Sequence, residues 1–184
     1  MRRQKRSLRC DIAAQQRVAY DRSIQQSVLE LVKLRSAAAV AAYWPFDGEP
    51  DIIPVCRQLL DDGTAIALPV ITGGKASSMR FHRWRSDSVL KVNHFGISEP
   101  QQTPEMQLLS LDVLLIPLVA YDQFGNRLGM GAGYYDRHLE PLRNLSTPLR
   151  VGIAYSLQAL ERINSNDWDI PLHGVITENG WLEF

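Results

Sequence analysis

The segment LDVLLIPLVAYDQFGNRLGMGAGYYDRHLE, residues 111–140, decides the fold. Its stretch VLLI, residues 113–116, is aliphatic at every position. A strand with one wet face alternates in polarity. An unbroken apolar run is expected of a strand buried on both faces, as in a parallel sheet covered by helices. Residues 134–139 read as helix, with Pro141 near the end. Between strand and helix stand Gly125, Gly129, Gly131 and Gly133, together with Arg127, Tyr134, Tyr135, Asp136 and Arg137. Glycines lack Cβ, so backbone amides there can close on an anion. The helix that follows turns its positive end to the same place. Arg127 can add a forked, charged contact to phosphate. Asp136, in the first helical turn, can hold magnesium against phosphate oxygens, because hard cations take oxygen ligands. A strand before, a helix after and charges alongside favour a nucleotide-using enzyme over glycines that merely turn the chain.

Outward from this segment the same alternation continues. Residues 2–35 read as helix in two pieces, with Ile12, Val18, Ile24, Val28, Leu31, Val32 and Leu34 at roughly helical spacing. Residues 37–43 suit a buried strand and residues 44–50 a loop. Residues 52–60 form an amphipathic helix stopped by Asp61, Asp62 and Gly63. Residues 65–68, 150–154 and 175–177 are further short strands, and 79–84 alternates like an edge strand. Residues 72–78 read as a loop, and 96–100 as a structural turn. Strands alternating with helices predict a single α/β domain over 1–184, a three-layer α/β/α sandwich with a mainly parallel sheet. In such sheets ligands sit beyond the carboxyl ends of the strands.

Several classes are excluded. GMGAGYY does not fit GxGxxG, so a dinucleotide fingerprint is unsupported. Gly73, Gly74 and Lys75 look like the end of a phosphate-binding P-loop, yet Pro69 stands where the first glycine belongs and Ala76 where Ser or Thr is needed. The 20 basic and 20 acidic residues cancel, so no overall field draws the chain to nucleic acid or an anionic membrane. Cys10 and Cys56 form no CxxC pair and suit a reducing cytoplasm. The longest apolar stretch, 111–121, is broken by Asp112 and Pro117 and is too short to span a bilayer. No membrane and no nucleic-acid partner are expected, and a cytoplasmic monomer is. His82, His94, His138 and His173 show no metal-ligand spacing. At the amino-terminal end Lys5 and Arg9 are four apart, so a helix puts both on one face, where they can clasp a phosphate chain.

With KRSLR at 5–9, GNRLGMGAGYYDR at 125–137 and NDWDIPLHGVITE at 166–178 in this order, the chain resembles the 5-formyltetrahydrofolate cyclo-ligase family over nearly its whole length. The resemblance implies a three-layer α/β/α fold. It implies ATP- and magnesium-dependent conversion of 5-formyltetrahydrofolate, with or without a polyglutamate tail, into 5,10-methenyltetrahydrofolate, with release of ADP and phosphate. The formyl oxygen would attack the γ-phosphate, nitrogen 10 would attack the phosphorylated intermediate, and phosphate would leave as the ring closes. By resemblance, Lys5, Arg6 and Arg9 belong to an ATP-binding segment. Arg127, Leu128, Gly129, Met130, Gly131, Ala132, Gly133, Tyr134 and Tyr135 belong to the ATP loop, of which 130–134 also touches folate. Asp136 and Asp167 match magnesium-site acids, with Asp169 a close rival to the second. Trp44 and Glu49, in YWPFDGE, fall where folate is contacted. Many members carry Arg and Lys where Met130 and Ala132 stand here. Either Arg127, Lys5, Arg9 and magnesium suffice for the phosphates, or Arg137 or Arg150 substitutes. Two other classes share these features: a non-catalytic folate- or nucleotide-binding protein on the same scaffold, and a sugar-phosphate isomerase-like enzyme.

Overall fold

The computed structural model describes residues 1–72 and 78–184. Two helices open it, α1 (Arg2–Cys10) and α2 (Ala14–Leu34). β1 (Ala39–Ala41), α3 (Ile53–Asp61), β2 (Ala65–Thr72) and β3 (Ser78–Trp84) follow. Next come a hairpin of β4 (Leu90–Val92) and β5 (Ser98–Pro100), then β6 (Val113–Pro117). A second small hairpin, β7 (Ala120–Tyr121) and β8 (Arg127–Leu128), leads to α4 (Tyr134–Leu139). The chain ends through β9 (Leu149–Ile153), β10 (Gly174–Thr177) and β11 (Gly180–Glu183). The P-loop look-alike at Gly73, Gly74 and Lys75 lies outside the described residues.

The main sheet runs β11-β10-β9-β6-β1-β2-β3. Its five inner strands are parallel, and an antiparallel strand closes each edge, β3 on β2 and β11 on β10. Side chains alternate across it, as the pleat requires. Val40, Ile66, Val113, Leu115, Val151, Ile153 and Ile176 share one buried cluster with Ile24, Val28 and Val32 of α2 and Val55 and Leu59 of α3. Ala39, Ala41, Ala67, Leu114, Ile116 and Val175 face the other way, onto Leu139 of α4 and Leu142. Helices therefore cover both faces, which is why the run at 113–116 carries no polar residue. α2 buries the stripe 24, 28, 31 and 32, one face of a helix. α3 has Pro54 in its first turn, where no amide hydrogen is needed, and stops at Asp62 before Gly63 (φ +91°). No helix among the described residues is long and apolar enough to cross a membrane.

The glycine segment does not follow β6 directly, because the β7–β8 hairpin intervenes. Asp122 makes that hairpin turn. Burial pushes its carboxyl up, but hydrogen bonds from the Asn126 side chain and from the amides of Ile163, Phe124 and Asn126 outweigh this and hold it below the usual carboxylate range. Gly125 sits in the turn at φ +79°, where an added Cβ would lie 2.7 Å from the Leu172 carbonyl oxygen. That backbone is already paired, since the Leu172 amide donates to the Gly125 carbonyl at 2.9 Å. Gly125→Ala is expected to cost roughly 2 kcal/mol through left-handed strain and the clash. Urea unfolding should show a lower midpoint at unchanged slope.

Candidate active site

A cavity opens beyond the carboxyl ends of β1, β2 and β6, the place that parallel sheets reserve for ligands. Tyr43, Trp44, Phe46 and Glu49 line it from the loop after β1, Pro69 and Ile71 from β2, Pro117 from the end of β6 and Leu118 from just past it. The β4–β5 hairpin adds Asn93, Phe95, Ile97 and Glu99. The glycine segment adds Arg127, Gly129, Met130, Ala132, Gly133, Tyr134, Tyr135 and Asp136. Trp44 presents one side to the cavity and rests its ring edge-on against Trp84, 6.1 Å between centroids.

The loop after β1 is bolted to α1. Asp47 (φ +53°) and Gly48 (φ +74°) reverse the chain, so that a Glu49 carboxylate oxygen accepts from the Phe46 amide at 3.1 Å. Arg9 lies under this turn with no solvent exposure. It donates to the Asp47 and Leu118 carbonyls and to the Asp47 carboxylate, and it stands 3.8 Å from Glu49. Arg6 pairs with Asp47 at 2.7 Å and, with Arg9, holds that carboxyl below the usual range. Arg17 donates to the Gly48 carbonyl. Burial nevertheless dominates at Glu49. It raises the carboxyl to about 7, against the smaller opposing pull of Arg9 and the Phe46 amide.

On the far wall, Gly131 (φ +106°) and Gly133 (φ +67°) adopt backbone conformations that β-carbons resist. At Gly129 and Gly131 an added Cβ would meet nothing within 4 Å, so space stands open above the loop. Arg127, its side chain 5% exposed, pairs with Asp136 at 2.6 Å and donates to the Ile170 carbonyl. Among the described lining residues Arg127 is the one cation, against three acids, Glu49, Glu99 and Asp136. The Tyr135 hydroxyl is buried and has no hydrogen-bond partner among the described residues; burial first, and Glu49 next, push its ionisation far up. Glu99 accepts from the Ile71 amide at 2.9 Å and from the Asn93 side chain at 2.7 Å.

The sequence candidates therefore separate. Trp44, Glu49 and most of 127–136 meet around one cavity. The Lys5 ammonium donates to the Leu157 and Ala159 carbonyls, and Arg9 is buried beneath the Glu49 loop, so neither lines it. Arg2 reaches the glycine segment instead, donating to the Gly129 carbonyl at 3.1 Å. Of the two possible substitutes for the missing loop cations, Arg150 is spent on the Leu142, Leu145 and Pro171 carbonyls and on His173. Arg137 is exposed, donates to the Ala132 carbonyl at 2.8 Å and lies over the Tyr134 ring. Asp167 is exposed and does not line the cavity; its carbonyl accepts from Arg143, whereas the Asp169 carboxylate closes a turn on the Asn166 amide. Among the described residues no three His, Cys, Asp or Glu side chains gather as a ready metal cluster. In the 96–100 turn, read from sequence as structural, Ile97 and Glu99 face the cavity, with Asn93 and Phe95 just before it.

Comparison with known proteins points to one family. The model of the 5-formyltetrahydrofolate cyclo-ligase family matches residues 1–178. The chain is 36% identical over 173 residues to the 5-formyltetrahydrofolate cyclo-ligase of Haemophilus influenzae, covering 93% of this chain and 92% of that one. It is 40% identical over 143 residues to the enzyme of the same name from Escherichia coli K12, covering 77% and 78%. The NMR structure of Aquifex aeolicus 5,10-methenyltetrahydrofolate synthetase superposes with a TM-score of 0.80 at 31% identity, over 99% of this chain and 90% of that one.

Proposed function

The chain belongs to the 5-formyltetrahydrofolate cyclo-ligase family, and from that premise we propose how its cavity and glycine segment divide the conversion of 5-formyltetrahydrofolate into 5,10-methenyltetrahydrofolate. It is an enzyme, a carbon–nitrogen ring-forming ligase. ATP is the co-substrate, and the product side carries ADP and phosphate.

The charge of the cavity lining carries the proposed division. Among the described lining residues, three acids and one arginine suit a flat ring that presents N–H donors, and not a polyanion. The pterin therefore enters between Trp44, Phe46, Tyr134 and Tyr135, where aromatic walls match a flat ring. Glu49 accepts from its donors, and the orphaned Tyr135 hydroxyl gains the partner it lacks. The nucleotide phosphates lie over the open side of Gly129 and Gly131, next to Arg127 and the α1 end marked by Arg2. On that helix Lys5 is held by the Leu157 and Ala159 carbonyls and Arg6 by Asp47, both partly exposed. Arg9 is a positioning residue that holds the Glu49 loop.

An amide-type formyl oxygen is a weak nucleophile, so the protein contributes mainly placement and charge. A bond forms from that oxygen to the γ-phosphorus as ADP leaves. Nitrogen 10 then bonds to the formyl carbon and gives up its proton, and the oxygen departs as phosphate. Arg127 neutralises phosphoryl oxygens as charge develops. Magnesium usually keeps its waters and takes one or two carboxylates plus phosphates. Asp136, a hard oxygen donor at the cavity edge, fits that role; Asp167 would join only by a movement of its exposed loop. Bound there, the ion would supply further neutralisation of the phosphates. In this reading the chain acts on a small molecule as a cytoplasmic monomer. The test is to incubate pure protein with 5-formyltetrahydrofolate, ATP and magnesium and follow methenyltetrahydrofolate absorbance. Product should rise only with ATP, and a folded sample giving no ATP-dependent product sinks the reading.

A further inference from the structure

Ring closure leaves one proton without a destination. Nitrogen 10 carries a hydrogen into its bond with the formyl carbon and must lose it before phosphate departs. Among the described lining residues three carboxylates face the cavity, Glu49, Asp136 and Glu99. Glu49 is engaged by the N–H donors of the ring, and Asp136 is held by Arg127 at 2.6 Å. Glu99 has no task in the steps above. It stands in β5, 7% exposed, and is clamped by one oxygen only. Its Oε1 accepts from the Ile71 amide of β2 at 2.9 Å and from the Asn93 side chain at 2.7 Å. Among the described residues nothing donates to Oε2, which is therefore the oxygen left to a cavity ligand. A carboxylate so held is fixed in place and keeps acceptor capacity for a proton.

Resting on the cyclo-ligase reading above, we infer that Glu99 is the general base of ring closure and takes the proton of nitrogen 10 on Oε2. The N–H donors of the pterin and its formyl-bearing nitrogen 5 lie at opposite ends of the flat ring. Donors seated on Glu49 therefore turn nitrogen 5, and nitrogen 10 a short bridge away, towards the β4–β5 hairpin and the glycine segment. Those two walls meet where Phe95 and Tyr134 stand ring edge to ring face, 6.1 Å between centroids. Glu99 comes from the hairpin side and the phosphates from the glycine side, so proton and phosphate leave towards different walls. As nitrogen 10 bonds to the formyl carbon it becomes ammonium-like and strongly acidic, and a carboxylate suffices as its base. The N–H bond breaks, its electron pair stays on nitrogen 10, and the proton passes to Oε2. That pair then helps form the carbon–nitrogen double bond as the carbon–oxygen bond breaks and the oxygen leaves with phosphate. Glu99 returns its proton to water after product release.

The experiment follows a single turnover with enzyme in excess over 5-formyltetrahydrofolate, quenching for ADP and recording methenyltetrahydrofolate absorbance in parallel. Glu99→Gln isolates the loss of the base. Its amide oxygen still accepts from Ile71 and Asn93, while its NH2 faces the cavity and takes no proton. Methenyltetrahydrofolate formation is expected to slow about 100-fold, the scale of one general base, with ADP formation within about threefold of wild type. ADP then runs ahead of product as the phosphorylated intermediate accumulates. Glu99→Asp keeps a carboxylate on a shorter stem, and its product should lag less than that of Glu99→Gln. If ADP and product slow together, Glu99 serves placement and the assignment is overturned. It is overturned too if Glu99→Gln forms product at the wild-type rate, water or the departing phosphate then taking the proton, or if Glu99→Asp lags as far as Glu99→Gln. Each of these outcomes leaves the cyclo-ligase reading intact. A folded wild type that gives no ATP-dependent product overturns both.

Discussion

Glu49→Gln is expected to lower kcat/KM for folate by on the order of 100-fold, while leaving the protein as stable as before or more so at pH 8. The loss follows from geometry. Glu49 is the buried acceptor of the cavity, held by the Phe46 amide and the Asp47–Gly48 reversal. Hydrogen bonds to a charged acceptor are worth roughly 1.5–3 kcal/mol, and an amide offers its NH2 where the pterin brings donors of its own. The stability side follows from the sign of the shift. The folded carboxyl, raised to about 7, lies above its ordinary 4.5, so the fold favours the protonated form. The contribution to stability is fully present below about 4.5 and is lost as pH rises through about 7. Glutamine imitates the form the fold prefers, so at pH 8 it removes a cost. Ligand binding favours the opposite form, because N–H donors need the carboxylate. KM for folate should therefore fall as pH rises towards 7 and level off above it, and the variant should lose this slope. A variant with wild-type KM, or one that keeps the slope, would remove Glu49 from the folate site.

The fold was legible because hydrophobic pattern and local chemistry agree. The aliphatic run at 113–116, the stripe at 24, 28, 31 and 32 and the stop at Gly63 each admit one physical reading. The strands that escaped notice, β4, β5, β7, β8 and β11, are two to four residues long, too short to carry a period. The site was legible where motif and geometry coincide, at Glu49 and along the glycine segment. It was opaque in two places. Asn93, Phe95 and Glu99 reach the cavity from a hairpin whose sequence has no feature to distinguish it from an ordinary turn, and only the packing of β5 beside β2 brings them in. Arginines gave the reverse difficulty. Arg9 and Arg150 read from sequence as cations free for phosphate, yet their forks are filled by backbone carbonyls and neighbouring side chains. Whether an arginine serves a ligand or a loop depends on which carbonyls point at it, and that is a tertiary fact.

Arg127 is the arginine that remains at the cavity, and Arg127→Ala is expected to cost about 100- to 1000-fold in kcat, the scale of removing one preorganised stabiliser of transition-state charge. Met130 and Ala132 stand beside it without charge, so among the described residues the lining holds no second cation to take its place. Its pairing with Asp136 at 2.6 Å offers a rival account, in which it serves only to aim that carboxylate. Two further variants separate the accounts. Arg127→Lys keeps the charge but loses the fork that serves Asp136 and the Ile170 carbonyl together, so partial recovery is expected if charge on the phosphoryl group matters. If Arg127 acted through Asp136 alone, then Arg127→Ala added to Asp136→Ala would cost nothing more. An additional drop of at least tenfold in the double variant is expected, with KM for folate changed little. Loss of the pair should also lower stability by roughly 1–3 kcal/mol, since Asp136, 28% exposed, can rehydrate in part. Urea unfolding measured beside the kinetics keeps that loss from being taken for catalysis. A fully folded Arg127→Ala protein with wild-type turnover would place the phosphates elsewhere than over this loop.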